Sequence, residues 1–337
     1  MTDKGTIFVS IASFCDPYLR FTIESAMTQA AQPNHVVLGV VDQGRESLSG
    51  WLSEQAYSDQ VRYLQLDPLH SRGVCWARHL VQSLFDGEAL FLQVDSHTCF
   101  QPGWDAILHE HLDRLSQISS KPVLSIYPPG FEFDDEGKPV ARTDLGANVG
   151  SFRPKPDQLL REDDRVLKFK AVSHRAPAEA TGAVETCWHY ARGAHLAGGF
   201  LATLGEFVHE VPYDPNFYFH GEEQGLALRA FTHGWDVFHP QFNRVPLRHL
   251  YKTPESTSPN LHWRQDLEAK RPVKWSERRA SARQRLNDLI AGRLEAPYGL
   301  GNQRSLSEFI AVSGLDYLTN QILEPRVEFV SLPTSAS

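Results

Sequence analysis

Residues 89–97 read ALFLQVDSH, an apolar run that stops abruptly at an acidic residue. A continuous apolar run of this kind is typical of a strand that is covered on both faces of a sheet. A second run, VVLGVV, occupies residues 36–41, and a β-prone segment lies at residues 7–13. The stretches between these strands, at residues 17–29 and 74–84, have the apolar spacing of helices. The alternation of strand and helix predicts an α/β fold with a mostly parallel central sheet.

Polar residues follow three of the predicted strands. The segment SIASFCD at residues 10–16 ends the first strand, Asp42 and Gln43 end the second, and residues 95–97 end the third. Ligands of open α/β sheets bind outside the carboxyl ends of the strands, along one edge of the sheet. We therefore expect these three segments to form one site.

Asp95 and His97 form a candidate metal site in the turn after the third strand. A carboxylate and a neutral imidazole are competent ligands of a divalent cation such as Mn²⁺, which would hold a diphosphate and offset charge on a leaving group. His249, in the segment VPLRHLY at residues 245–251, can complete the set. The alternative is structural, since an acid at a strand end often caps the next turn and a lone histidine is more often structural than a ligand.

Arg72, Gly73 and Arg78 surround the start of the predicted helix at residues 74–84. An arginine can bind phosphate through two hydrogen bonds, and a glycine lets the backbone approach a ligand closely. The alternative for each arginine is an ion pair with an acid at the edge of the core, and the sequence leaves both interpretations open.

Gly221, Glu222 and Glu223 begin another predicted helix, which runs to Thr232. Acidic residues in a first turn are stabilised by the helix dipole, which is the structural explanation for the pair. The functional explanation is that one carboxylate binds sugar hydroxyls or acts as a base toward an acceptor hydroxyl. The spacing does not decide which of the two points inward.

The second half of the chain is less regular. Clusters of proline, glycine and acidic residues predict an irregular insertion at about residues 128–182, and long loops of this kind are usually functional or mobile. Residues 261–290 hold eight Lys and Arg against four Asp and Glu. Such a run is typical of a solvated helix face, and it leaves a peripheral contact with an anionic membrane or acceptor open. We therefore expect a main domain at residues 1–260 and a helical C-terminal segment at residues 261–337 packed on it.

The composition excludes several classes of protein. The chain has 337 residues and a formal net charge of −8, so it lacks the broad positive field that nucleic-acid binders need. The four cysteines show no CxxC spacing, which predicts reduced thiols and a cytoplasmic protein. We expect no signal peptide, and no stretch has the ~20 apolar residues of a membrane helix.

Several blocks of the chain resemble the cytoplasmic GlcNAc-transferase family, which includes the enzyme that glycosylates hydroxyproline of the ubiquitin-ligase adaptor Skp1. The blocks are IFVSIASFCDPYLRFTI (7–23), HVVLGVVDQ (35–43), SRGVCWARHL (71–80), LFLQVDSHTCFQPGWD (90–105), VPYDPNFYFHGEEQGLALRAFTHGWDVFHP (211–240) and PYGLGNQRSLSEFIAVSGLDY (297–317). The resemblance implies a GT-A glycosyltransferase domain over residues 1–260. It also implies a UDP-sugar donor, most often UDP-GlcNAc, a divalent metal (Mn²⁺ or Mg²⁺), and a hydroxyl acceptor on a glycan or a protein.

The resemblance also implies roles for individual residues. The family's Asp-x-His metal motif falls on Asp95 and His97, and its later metal-binding histidine falls on His249. Glu222 and Glu223 are expected to face the donor sugar or the acceptor. The expected donor-binding residues are Ser10, Ala12, Ser13, Asp16, Gln43 near the base, Arg72, Gly73 and Arg78 near the ribose and diphosphate, Ser96 and Gly221.

For the mechanism, the resemblance implies that the donor's anomeric configuration is retained, with the leaving diphosphate helping to deprotonate the acceptor. An inverting enzyme would instead need Glu222 or Glu223 as a general base, and the sequence leaves this choice open. Two other hypotheses are a metal-dependent nucleotide-sugar hydrolase or pyrophosphorylase, and a non-catalytic nucleotide- or glycan-binding module. The intact set of candidate Asp, His and Glu residues argues against the second of these.

Overall fold

A computed structural model describes residues 5–142, 144–177, 187–251 and 261–333. The expected end of the insertion at residue 182 and the expected domain boundary at residue 260 lie outside the described residues. Among the described helices, none combines the length and the apolar character needed to cross a bilayer. All four cysteines are free thiols.

The centre of the fold is a nine-stranded sheet. In spatial order its strands are β17 (Glu328–Pro333), β11 (Cys187–Gly193), β13 (Asp236–Pro240), β6 (Pro122–Ser125), β12 (Phe200–Leu204), β4 (Leu90–Asp95), β1 (Ile7–Phe14), β2 (Val36–Gln43) and β3 (Val61–Gln65). Within this sheet every strand except β11 and β12 runs in one direction. The predicted α/β fold with a mostly parallel sheet is therefore confirmed.

The strands next to the centre are buried on both faces. Consecutive residues of β1 and β4 are almost all buried, although neighbouring side chains of a strand point to opposite faces. This explains why these segments are continuously apolar in sequence rather than alternating. The parallel register places Ala12 beside Asp95 and Phe14 beside Gln43, so the polar strand ends meet at one edge as predicted.

Nine helices pack around the sheet in the described part of the chain. They are α1 (Leu19–Gln29), α2 (Ser49–Ser53), α3 (Val74–Gln82), α4 (Trp104–Leu115), α5 (Phe207–Glu210), α6 (Glu222–Thr232), α7 (Gln265–Glu268), α8 (Trp275–Ile290) and α9 (Leu306–Ser313). Helix α3 packs on β1 and β2, and α6 packs on β13, α8 and α9. The predicted helices at residues 17–29, 74–84 and 222–232 are thus present, with ends shifted by at most two residues.

The predicted irregular insertion is more regular than its sequence indicated. It contains two antiparallel hairpins, β7 (Phe131–Phe133) with β8 (Pro139–Ala141), and β9 (Val149–Pro154) with β10 (Phe169–His174). The expectation of irregular structure is therefore wrong for these segments. Their strands are too short, and too often interrupted by proline, glycine and charge, for a clear alternating pattern.

The C-terminal segment also departs from the expectation, because it is not entirely helical. Besides α7, α8 and α9 it contains the small hairpin β15 (Leu315–Asp316) and β16 (Gln321–Ile322). Its last strand, β17, pairs antiparallel with β11 at the edge of the central sheet. An edge strand has one exposed side and carries polar residues, so its hydrophobic signal is weak.

A short antiparallel ladder completes the fold at the polar edge. It joins β5 (Thr98–Phe100), directly after β4, to β14 (Leu247–His249). Its register places His249 opposite Thr98, beside the turn that carries His97. This ladder brings a histidine from the distant second half of the chain to the end of β4.

Candidate active site

Asp95, His97 and His249 form a cluster at the end of β4. Each offers one ligand atom, and these atoms lie within 4.8 Å of one another. The imidazole rings of His97 and His249 have their centroids 4.6 Å apart. The side chains keep a partial exposure of 29% for Asp95 and 12% for His249, so they are accessible from the cavities described below. One carboxylate and two imidazoles form a donor set that suits Mn²⁺ or a similar divalent cation.

Asp16 fixes the orientation of His97. Its Oδ2 accepts a hydrogen bond from His97 Nδ1 at 2.6 Å and another from Ser96 Oγ at 2.8 Å. Burial alone would raise the pKa of Asp16, but the bonds and charge of His97 outweigh it and the pKa is lowered. A carboxylate behind one ring nitrogen is the usual support of a metal-binding histidine and leaves the other nitrogen for the metal. Asp16, expected at the nucleotide, therefore supports the metal cluster.

Arg78 holds the other side of the cluster. It is 3% exposed, and its guanidinium donates to Asp95 Oδ1 at 2.8 Å and to Glu222. Burial would raise the pKa of Asp95, but the bond from His249 and the charge of Arg78 bring it far below its ordinary value. Arg78 was expected near the ribose and diphosphate. The structure instead shows the ion pair with acids that the sequence left open.

One of two neighbouring cavities, here called the nucleotide-side cavity, lies along the ends of β1, β2 and β4. Its volume is about 440 Å³. It brings together most of the expected donor-binding residues, namely Ala12, Ser13, Asp16, Gln43, Gly73 and Ser96. The residues Leu261, His262 and Trp263 form another part of its wall, so the C-terminal segment contributes to the site.

Gln43 and Gly73 are held firmly in this cavity. Gln43 Nε2 donates to the carbonyl of Ser13 at 2.9 Å, and its Oε1 accepts from Ser71 Oγ. Gly73 precedes α3 with a φ of +108°, and a Cβ there would lie 2.5 Å from the ring of Tyr218. Only glycine fits this position. The structure explains this glycine by its packing against Tyr218, and the expected approach of a ligand to the Gly73 backbone stays a prediction.

The second cavity, here called the sugar-side cavity, lies on the other side of Asp95 and His249. Its volume is about 370 Å³. Both cavities share the wall residues Val74, Asp95, Phe219, His249 and Tyr251. The cluster therefore stands between them. The expected residues Gly221, Glu222 and Glu223 all line the sugar-side cavity.

The two glutamates have different surroundings. Glu222 is buried, pairs with Arg78 and accepts a hydrogen bond from Tyr213 Oη at 3.0 Å. Glu223 is partly exposed and accepts from Tyr127 Oη at 2.6 Å and from the Gly198 amide at 2.8 Å. Burial raises the pKa of Glu223 to about 7, and the neighbouring charge of Glu222 adds to this rise. Glu223 is thus the carboxyl group that can exchange a proton near neutral pH.

Two expected donor-binding residues lie away from both described cavities. Ser10 is fully buried in β1, between Gly39 and Gln93 of the neighbouring strands. Arg72 is exposed, and its guanidinium lies over the ring of Trp76, 5.6 Å from the centroid. The structure therefore does not bring these two side chains to the site.

Sequence reasoning missed Gly198 and Gly199, which precede β12 and line the sugar-side cavity. A Cβ at Gly198 would lie 2.6 Å from an Arg78 guanidinium nitrogen, and one at Gly199 would lie 2.8 Å from Asp95 Oδ2. Only residues without a side chain leave room for the ion pair and the metal cluster. The Gly-Gly pair in front of an apolar strand was the available signal. No sequence signal pointed to Tyr127 or Tyr251, because their neighbours in the site come from distant parts of the chain.

The family model described as Glycosyltransferase (GlcNAc) matches residues 6–60 and 52–319 of the chain. The chain belongs to this glycosyltransferase family. The match is to the family as a whole and does not single out the members that modify Skp1. No match is found among curated protein sequences.

Three solved glycosyltransferase structures are similar to the chain, and one of them has a TM-score above 0.5. A structure of GalNAc-T7 with UDP, GalNAc and Mn²⁺ matches with a TM-score of 0.51 and 16% identity, over 92% of this chain and 54% of that chain. A structure of TarS 1-349 from S. aureus with UDP-GlcNAc matches with a TM-score of 0.40 and 13% identity, over 74% of this chain and 60% of that chain. A structure of the mannosyltransferase PcManGT from Pyrobaculum calidifontis with GDP-Man and Mn²⁺ matches with a TM-score of 0.45 and 10% identity, over 76% of this chain and 59% of that chain. The chain thus spans about half the length of the GalNAc-T7 structure, and the GT-A fold is the conclusion that this likeness carries.

Proposed function

We propose that the protein transfers N-acetylglucosamine from UDP-GlcNAc to a hydroxyl group of a glycan or protein acceptor, with a divalent metal. The observation that carries the proposal is the position of Asp95, His97 and His249 between two cavities. A nucleotide diphosphate sugar needs this arrangement, with the base and ribose on one side of the metal and the sugar on the other. The choice of sugar is supported by the family description.

The cluster fits a metal by its chemistry. Asp95 and the two histidines would hold it, with Asp16 and Arg78 keeping the ligands in place. A bound Mn²⁺ or Mg²⁺ supplies positive charge that stabilises the departing UDP. A preformed ligand set that does not have to reorganise during the reaction makes this electrostatic stabilisation effective.

The chain's own residues bind the donor on both sides of this cluster. On the nucleotide side, Ser13 and Gln43 present backbone and amide groups that are already fixed by hydrogen bonds. On the sugar side, Gly198 and Gly199 bring the backbone close to the reacting centre.

We assign the sugar-facing role to Glu223 rather than Glu222. The Glu222 carboxylate is occupied by Arg78 and Tyr213, whereas Glu223 is partly exposed to the cavity. In the retaining reaction that the family resemblance suggests, Glu223 orients the sugar while a diphosphate oxygen takes the proton of the acceptor hydroxyl. The pKa of Glu223, about 7, also suits the alternative role of a general base in an inverting reaction.

The cytoplasmic location inferred from the cysteines stays a prediction.

A panel of UDP-sugars tests the proposal. The purified protein is incubated with each donor, with and without a panel of soluble glycan and peptide hydroxyl acceptors, and with Mn²⁺ or with chelator; UDP, free sugar and glycosylated product are followed by chromatography. We expect UDP-GlcNAc to be consumed fastest and only with metal, with the anomeric configuration of the first product read by NMR. A protein that consumes no UDP-sugar with any acceptor, consumes all of them equally in chelator, or releases free sugar as fast without acceptor as with it contradicts the proposal.

A further inference from the structure

One wall of the sugar-side cavity carries positive charge that the proposed reaction does not use. Lys155 follows β9, Lys168 precedes β10, and both line the cavity together with His220. Both lysines are exposed to solvent. Among the described residues, no carboxylate forms an ion pair with either of them. We call Lys155 and Lys168 the cationic wall.

The cationic wall is held rigidly against the cavity. The amide of Lys155 donates to the carbonyl of Lys168 at 2.8 Å, which keeps the two lysines side by side. Gln224, in the first turn of α6, accepts from the Leu167 amide at 2.7 Å and donates to the Arg165 carbonyl at 2.9 Å. The segment that carries Lys168 is therefore anchored to the same helix that carries Glu223.

Helix α8 extends the positive field behind the wall. Burial and the charges of Arg279, Arg283 and Lys168 lower the pKa of His220 to about 4, so these cations all lie near its ring. Arg283 is paired with Asp164 at 2.6 Å. The other acidic side chains of this loop, Asp157, Glu162 and Asp163, are absent from the described cavity lining. Asp95, Glu222 and Glu223 line the same cavity, with Arg78 paired to the first two, so the positive charge is local to the side formed by Lys155 and Lys168.

We propose that the cationic wall binds an oxyanion of the acceptor, so that the substrate hydroxyl belongs to a phosphate- or carboxylate-bearing molecule. The inference rests on the proposed function, because it places the acceptor in the sugar-side cavity. The donor's own diphosphate is held at Asp95, His97 and His249, on the boundary with the nucleotide-side cavity. An anionic group next to the acceptor hydroxyl would satisfy Lys155 and Lys168 without competing for the metal. Clustered lysines bind phosphate and carboxylate as point charges.

Matched charged and neutral probes test this proposal. Binding of glycerol 3-phosphate against glycerol, and of glucuronate against glucose, is measured by NMR titration of the protein saturated with UDP and Mg²⁺. The wild type is compared with the double variant Lys155→Ala, Lys168→Ala and with Lys170→Ala. Lys170 lies two residues further along on β10, is exposed and is outside the described cavity lining, so it is the control for a lost surface charge.

We expect the wild type and Lys170→Ala to prefer the charged member of a pair by roughly fivefold or more, and the double variant to lose this preference. A stronger preference for glycerol 3-phosphate over glycerol identifies phosphate as the acceptor group that the lysines bind. A stronger preference for glucuronate over glucose identifies carboxylate. Equal binding of charged and neutral probes to the wild type, binding of neither, or a preference that survives in the double variant overturns the proposal.

The donor-binding function is read separately on the same samples. A fall in UDP affinity in the double variant, with no change in Lys170→Ala, would show that the lysines serve the donor diphosphate and would also overturn the proposal. If the wild type binds no UDP at all, the proposed function fails. The preference for charged probes can then still be measured on the protein without UDP.

Discussion

The carboxylate of Asp16 accepts a hydrogen bond from Nδ1 of His97 at 2.6 Å. The bond fixes the orientation of the His97 ring, and it links the end of β1 to the turn after β4. Two strand ends that looked like separate contacts with a nucleotide therefore form one unit. In this unit Asp16, two residues after the end of β1, positions His97, a candidate metal ligand, beside the end of β4.

Replacing Asp16 by asparagine should weaken metal binding without unfolding the protein. The amide lacks the negative charge that fixes the orientation and raises the basicity of His97, and the loss of such a partner typically costs about 10- to 100-fold in metal affinity. Mn²⁺ affinity, measured by electron paramagnetic resonance, checks this. Asp42→Asn is the control, since Asp42 ends β2 at the same edge but bonds to Tyr63. Unchanged Mn²⁺ affinity in Asp16→Asn would show that His97 is not a ligand.

Replacing each of the two glutamates of α6 should have a different effect. Glu222→Gln leaves the buried guanidinium of Arg78 with one carboxylate fewer, so we expect a loss of about 1–3 kcal/mol in the free energy of unfolding. Glu223→Gln should lose most of its turnover of UDP-GlcNAc, while its free energy of unfolding, compared near pH 5 where the wild-type carboxyl group is also protonated in the folded protein, stays close to that of the wild type. Urea denaturation and UDP release, measured on both variants, separate the two roles. Equal effects on both quantities would contradict the assignment of Glu223 to the sugar.

The raised pKa of Glu223 predicts a pH dependence of stability. Its ordinary pKa of 4.5 becomes about 7 in the folded protein. Between these values the folded protein holds a proton that the unfolded chain has released, so the free energy of unfolding falls as the pH rises and levels off above pH 7. The Glu223→Gln variant has no carboxyl group at this position, so its stability does not change with this protonation.

We therefore expect the difference in the free energy of unfolding between the wild type and Glu223→Gln to shift by on the order of 3 kcal/mol over this window. Urea denaturation of both proteins at several pH values measures it, and the contributions of other groups cancel in the difference. A difference that is constant with pH would show that the carboxyl group of Glu223 titrates at its ordinary value.

Gly199 should be intolerant of any side chain. A Cβ at this position would lie 2.8 Å from Asp95 Oδ2, so Gly199→Ala has to displace a metal ligand or the backbone of β12. We expect a loss of at least about tenfold in metal-dependent turnover, because small displacements of reacting groups cost rate steeply. Gly50→Ala is the control, since a Cβ at Gly50 meets no atom within 4 Å. Wild-type turnover in Gly199→Ala would show that a side chain at this position does not disturb Asp95.

Much of the fold was predictable because its central strands are fully buried. The apolar runs at residues 36–41 and 89–94 marked strands without ambiguity, and three polar strand ends located the site. The two hairpins of the insertion and the edge strand β17 were not predictable in the same way. Their strands are short or half-exposed, and they are stabilised by neighbours that are distant in sequence.

The site was predictable to the level of which residues gather, and less so for what each does. Asp95, His97 and His249 meet because the β5–β14 ladder pairs His249 with Thr98. The actual partners of Asp16 and Arg78 depend on side-chain directions that spacing does not encode. Ser10 carries a polar group at a strand position next to the site, but the alternation of the strand turns it into the interior.

The central claim is that Asp95, His97 and His249 bind a metal that a UDP-sugar requires. Thermal unfolding of the wild type and of Asp95→Ala, with UDP-GlcNAc and with either Mn²⁺ or chelator, tests it most directly, because a ligand that binds only the folded state raises the melting temperature. We expect UDP-GlcNAc and Mn²⁺ together to raise the melting temperature of the wild type, and this rise to disappear in chelator and in Asp95→Ala. A rise of equal size in chelator, or no rise with any UDP-sugar, would contradict it.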